Sequence, residues 1–184
     1  MIKPWITPVV FIPFLLLTVM AVGQESPSNR NQAEFRFADG KRVKVDYGKP
    51  STAPAFGGAV PYGKIWGPGF GRATSLTTDV PIQIDEVVVP PGVYSIYMLP
   101  SEGDWTLILS QKAGQSAASY PQGWDFARIK MKKRSLSEPV GQLTILFSSH
   151  GPGGGAMKIR LGGTELWVNF EEQLNANQGE GDAS

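Results

Sequence analysis

The sequence predicts an all-β domain, an antiparallel sandwich or flattened barrel of roughly nine short strands. Three observations carry that prediction. Apolar residues alternate with polar or charged ones in short runs between residues 33 and 170, and alternation with period two marks a strand with one buried face. The 22 Gly and 15 Pro of this 184-residue chain cluster between those runs, where such residues mark turns. No segment holds a helical period for more than a turn or two. With 41% apolar residues the composition is that of a globular protein, the length suits one domain, and no period of 20–50 residues recurs.

Residues 1–23 read as a secretory signal: one early charge at Lys3, an apolar block over residues 12–22, and a small-x-small ending at Ala21-Val22-Gly23. A retained membrane anchor is the alternative, although Pro4, Pro8 and Pro13 suit a helix poorly. After cleavage no membrane span is expected. The chain is then exported, to the periplasm or the exterior. Residues 24–32 are polar without any apolar period and read as a tether; the folded domain is placed at 33–170 and a frayed tail at 171–184.

The domain opens with a hairpin. In Glu34-Phe35-Arg36-Phe37 and Arg42-Val43-Lys44-Val45-Asp46-Tyr47 the alternation is strict, and Asp39-Gly40 between them signals a type I′ turn. Residues 48–71 hold four Pro and seven Gly, too many breakers for a regular element. They also hold Phe56, Val60, Tyr62, Ile65, Trp66 and Phe70, an aromatic load that a solvated linker would not carry. This loop is expected to pack over one end of the sandwich. Strands follow at residues 73–78, 81–89, 93–99 and 105–110. Residues 114–123 are small and polar, with room for a short helical turn. Further strands are centred on Ala127, Ile129 and Met131, on Leu143, Ile145 and Phe147, on Met157, Ile159 and Leu161, and on Leu166, Val168 and Phe170. The run Gly151-Pro152-Gly153-Gly154-Gly155 reads as a flexible hairpin tip.

Composition excludes several chemistries. Lys and Arg number 17 and Asp and Glu 16, so no global field gathers nucleic acid. With no Cys and one His there is no disulfide, no thiol nucleophile and no site built on two imidazoles; no metal or cofactor is expected. Residues 58–64 match a phosphate loop up to Lys64, but Ile65 stands where Ser or Thr would hold magnesium, and Pro61 breaks the loop.

The residues left to consider are aromatic and cationic. Tyr47-Gly48-Lys49 and Tyr62-Gly63-Lys64 repeat one tripeptide, able to present ammonium groups beside phenols or simply to seal a sheet edge and turn the chain. Trp66 and Trp124 fall in loops and suit a ligand wall, whereas Trp105 falls on an apolar strand face. Arg128, Lys130 and Lys132, extended by Lys133 and Arg134, form a dense basic run. It reads as a solvated edge or as a patch for anionic polysaccharide. Ser148 and His150 share a strand face, but nothing in the sequence supplies their acid partner.

Tyr47-Gly48-Lys49-Pro50-Ser51, the block from Phe56-Gly57-Gly58 through Pro61-Tyr62-Gly63-Lys64-Ile65-Trp66, Pro91-Gly92-Val93-Tyr94-Ser95 and Asp104-Trp105-Thr106 together resemble the bacterial family catalogued as domain of unknown function 2911. The resemblance spans most of residues 43–170. It implies an exported β-sandwich-like domain with no established activity. After Trp66 the chain departs from the family's Arg-Thr-Gly-Ala-Asn-like run and reads Gly67-Pro68-Gly69-Phe70-Gly71-Arg72, with Arg72 the one charge that could replace the lost guanidinium.

The reading is therefore a binding or structural module. Tyr47, Lys49, Tyr62, Lys64, Trp66, Arg72 and Trp124 are its candidate contacts for a small anionic or carbohydrate ligand or an envelope partner. The alternative is a secreted hydrolase using His150 with Ser148 or a loop carboxylate.

Overall fold

A computed structural model describes residues 29–49 and 60–174. The signal, residues 24–28 of the tether, Phe56 and residues 175–184 lie outside the described residues. Among those described, all regular structure is β, and no helix is long and apolar enough to cross a membrane.

Nine strands form one antiparallel sheet: β1 (Arg30–Arg36), β2 (Arg42–Gly48), β3 (Ser75–Thr78), β4 (Ile82–Ile84), β5 (Val87–Val89), β6 (Gly92–Leu99), β7 (Trp105–Ser110), β8 (Asp125–Gly151) and β9 (Gly154–Glu172). Their spatial order is β1-β2-β3-β6-β7-β8-β9-β4-β5. The ends of the sheet do not pair with each other, so it is not a barrel. It folds over on itself instead, and β1 lies against β8. The alternating residues of both halves meet in one core, from Phe35, Val43 and Val45 through Ile96, Met98, Leu107 and Leu109 to Ile145, Ile159, Val168 and Phe170.

The strand count agrees with the rough expectation of nine, although individual strands differ. The expected strand at 81–89 is two three-residue strands, because the chain reverses at Asp85, which takes a left-handed φ of 50°. The four strands expected after Phe126 are two long ones, of 27 and 19 residues. Register shifts at Ser135/Val140 and Val140/Thr144 absorb the bend there, as bulges do. No helical turn forms in 114–123. The first hairpin also differs in its turn. Phe37 O accepts from Gly40 N at 3.0 Å, Phe37 N donates to Lys41 O at 2.9 Å, and Gly40 but not Asp39 has positive φ. That is a type I turn closed by a left-handed Gly rather than a type I′ turn. At the amino end β1 starts at Arg30, inside the stretch read as tether, because Arg30 pairs with Gly48 and its guanidinium grips Asp46.

The described part of the Pro- and Gly-rich loop packs on the sheet as a substitute strand. β3 covers β6 only from Gly92 to Ser95. Beyond it Trp66 exchanges two 2.8 Å backbone hydrogen bonds with Met98, and Gly63 N donates to Pro100 O at 2.9 Å. Val60 enters the core. The loop is apolar because it completes a buried sheet whose backbone groups need partners.

The hairpin tip is packed rather than loose. The bent β8–β9 hairpin returns to its own base, where Glu172 N donates to Gly153 O at 2.8 Å. A Cβ on Gly154 would stand 2.4 Å from Phe170 O, whereas one on Gly153 would meet nothing. Gly154→Ala is therefore expected to cost about 2–3 kcal/mol and Gly153→Ala less than about 0.5 kcal/mol, measured by urea denaturation. Equal costs would show that the return contact is not tight.

Candidate functional site

The bend in β8 opens a cavity. Up to Met131 the strand alternates, with Ala127, Ile129 and Met131 inward and Arg128 and Lys130 outward. From Lys132 to Ser135 four consecutive residues are exposed, because a strand leaving one half of the sheet for the other cannot keep a single buried face. There Tyr62, Trp105, Lys133, Arg134, Ser135 and Thr164 line a cavity of about 320 Å³. Tyr62 is held by its neighbour Gly63, bonded to Pro100. Ser135 and Thr164 are cross-strand partners, as are Arg134 and Glu165.

Behind the cavity lies the most buried carboxylate described, Glu165, with 1% of its side chain exposed. Its Oε1 is 2.6 Å from Arg134 Nη2 and its Oε2 accepts from Arg160 Nε at 2.6 Å. The Arg134 guanidinium also lies 5.7 Å from the centre of the Trp167 ring. Burial alone would raise the Glu165 pKa. The Arg160 hydrogen bond and the two guanidinium charges outweigh it and hold the carboxyl below its ordinary value. Lys133 Nζ donates to Glu102 O at 2.7 Å. The two charged residues that line the cavity, Lys133 and Arg134, are both cations.

The model of a family described as a protein of unknown function, DUF2911, matches residues 26–170. The chain belongs to that family. No curated protein and no solved structure matches it. In this DUF2911 domain the described part of the tripeptide-rich signature serves the sheet more than the cavity. Tyr47 is 3% exposed and sits in the core, so it supplies no ligand wall, and the candidate contact at that position is corrected. It points inward because β2 buries Val43, Val45 and Tyr47 on one face. Lys49 is half-buried, and its backbone N–H donates to Asn29 O at 2.9 Å. Lys64 is exposed in a turn. Trp66 packs half-buried on the core. Arg72 stands 3.5 Å from Asp46, beside Arg30. Trp124 is 51% exposed, with Lys112 Nζ 5.6 Å from its ring centre. Of the seven candidates, Tyr62, 43% exposed, lines the cavity at the bend, and the other six are not part of that wall.

The outer part of the basic run is neutralised piece by piece. Arg128 pairs with Asp125 at 2.7 Å and Lys130 with Asp104 at 2.6 Å; Tyr120 OH donates to Asp125 Oδ1 at 2.6 Å. His150 borders a second cavity, of about 380 Å³, with the glycines of the hairpin tip, Asn169, Glu171 and Glu172. Ser148 is not in that wall, and its Oγ is buried without a hydrogen-bond partner among the described residues.

The cavity residues missed in the sequence are Trp105, assigned to the core, and Ser135 and Thr164; Lys133 and Arg134 were noted only as the extension of the basic run. One signal was present: Lys132-Lys133-Arg134 breaks the alternation that Arg128, Lys130 and Lys132 keep, so one of those cations must leave the outward face. Thr164 and Glu165 carried no such sign. Because the folded pKa of Glu165 is depressed, its stabilisation is complete above the ordinary Glu value, about 4.3, and is lost as pH falls through the lower folded value. Glu165→Gln is expected to lower Tm at pH 7 and to flatten the fall of Tm with pH below about 4.3. Parallel curves for the two proteins would contradict the ion pairing.

Proposed function

We propose that this chain is an exported binding module whose cavity at the bend of β8 holds a small anionic or carbohydrate ligand. The observation that carries the reading is the wall itself. One half-exposed phenol, two hydroxyls and two cations converge on about 320 Å³, near the lower end of the range for small-molecule pockets, about 300–1,000 Å³. Tyr62 offers a flat face to a sugar ring, Ser135 and Thr164 offer hydroxyls, and Lys133 and Arg134 offer charge. Export is supported by the residues that precede the domain, with Lys3, the apolar block and Ala21-Val22-Gly23 in the order a signal requires.

The hydrolase alternative gains no support from the placement of Ser148 outside the cavity that His150 borders. No acid–base pair is invoked for the proposed site. Its chemistry is retention: stacking, hydrogen bonding and charge.

The test is a titration of the full chain with neutral, carboxylated and sulfated monosaccharides, followed by NMR. Tyr62→Ala is expected to weaken binding about threefold to tenfold and Lys133→Ala to weaken anionic ligands selectively, each with Tm within a degree or two of wild type, since both side chains lie at the surface. A chain that shows no saturable shift with any of these sugars at about 10 mM, where even a millimolar Kd would register, is not such a module.

A further inference from the structure

We infer that the ligand of this cavity carries a planar carboxylate on a sugar ring, a uronic acid, read by Arg134, and that buried Glu165 is the residue that positions the guanidinium. The inference rests on the binding role proposed above.

Arg134 is held from two sides. Glu165 Oε1 sits 2.6 Å from its Nη2, and the Trp167 ring faces the guanidinium at 5.7 Å. Glu165 is in turn fixed by Arg160 through its other oxygen, at 2.6 Å. A guanidinium carries five N–H donors in one plane. One nitrogen faces Glu165, and among the described residues no other carboxylate lies within ion-pair distance of Arg134. The guanidinium is thus anchored at one nitrogen by an ion pair before a ligand arrives, while Arg134 still reaches the cavity wall.

Charge selects the ligand class. Arg134 and Arg160 share one carboxylate, and Lys133 contacts a backbone carbonyl rather than an acid, so the wall carries excess positive charge that a neutral sugar leaves uncompensated. Geometry narrows it further. A carboxylate presents two oxygens in a plane and matches the guanidinium fork, whereas a tetrahedral sulfate does so less selectively and is served almost as well by a point charge. The Ser135 and Thr164 hydroxyls, directly opposite each other across β8 and β9, suit the ring hydroxyls of the same molecule. Tyr62 at the mouth suits its apolar face.

The full chain is titrated by calorimetry with D-glucuronate, D-glucose 6-sulfate and D-glucose. Wild type is expected to prefer glucuronate over both others by about tenfold, the worth of one charge-assisted two-point contact. Arg134→Lys keeps the charge but loses the fork, and is expected to abolish the preference for glucuronate over the sulfate. Glu165→Gln is expected to do the same by freeing the guanidinium. A merely structural role for Glu165 would weaken both anions equally and leave their ratio intact. Arg134 is more than half exposed, so Arg134→Lys keeps the fold and carries the test if Glu165→Gln unfolds. Equal affinity for glucuronate and the sulfate in wild type, or a preference that survives Arg134→Lys, overturns the uronate inference and leaves the binding role standing. Binding of none of the three overturns both.

Discussion

A long antiparallel hairpin is flat only if its ladder stays in register, and β8 and β9 do not stay in register. The shifts between Ser135 and Thr144 turn the hairpin back until its tip meets its own base, Gly153 O on Glu172 N. That return brings Phe147 and Phe170 onto Phe35, with Phe35 and Phe170 ring centres 5.1 Å apart and nearly perpendicular. Edge-to-face packing of this kind contributes beyond simple burial. Without the bend the two halves of the sheet would each expose an apolar face. With it, one core serves both, and the same bend forces the four consecutive exposed residues that open the cavity.

The outside of β6 and β7 is closed by loops rather than by a second layer of strands. Tyr97 and Ile108 form a small cluster with Ala73, covered by Ile65, Leu99 and Tyr120. Its polar edge is tied down: Tyr97 OH donates to Ser119 O at 2.9 Å, and Gln115 Nε2 donates to Tyr97 OH at 3.0 Å. Gly71 O, Ala73 N and the backbone of Gln115 and Ala117 pair in a short ladder. Loops that bury backbone must satisfy it, which is why these segments run in extended pairs without regular strand patterns in their sequence.

Charge follows a similar rule of local settlement. Most described cations lie beside an acid or a carbonyl within a few residues in space, and exposed pairs of this kind contribute little each. Glu165 is the exception. It is out of water, shared by two arginines, and adjacent to an opening. The group that must be paired to remain buried is also the acid that Arg134 meets. The three residues concerned come from β8 and from two positions on β9, so no short motif brings them together.

The all-β class, the first hairpin, the core faces of β2 and β7 and the packing of an aromatic loop on the sheet were legible in the residues, because a period of two in a strand is a local property. Membership of the DUF2911 family was legible too, from the signature around Tyr62 and Trp66. Placement was not. Tyr47 and Tyr62 stand in identical tripeptides, yet one is core and the other lines a cavity, because β2 is a central strand and residues 60–66 fill a gap beside β6. The glycines of the hairpin tip signalled freedom in sequence and close approach in space, since Phe170 O, which forbids a side chain at Gly154, lies 16 residues along the chain. Alternation determined which residues face inward; only the folding of the sheet onto itself decided which outward residues meet, because that depends on register shifts, which have no period of their own.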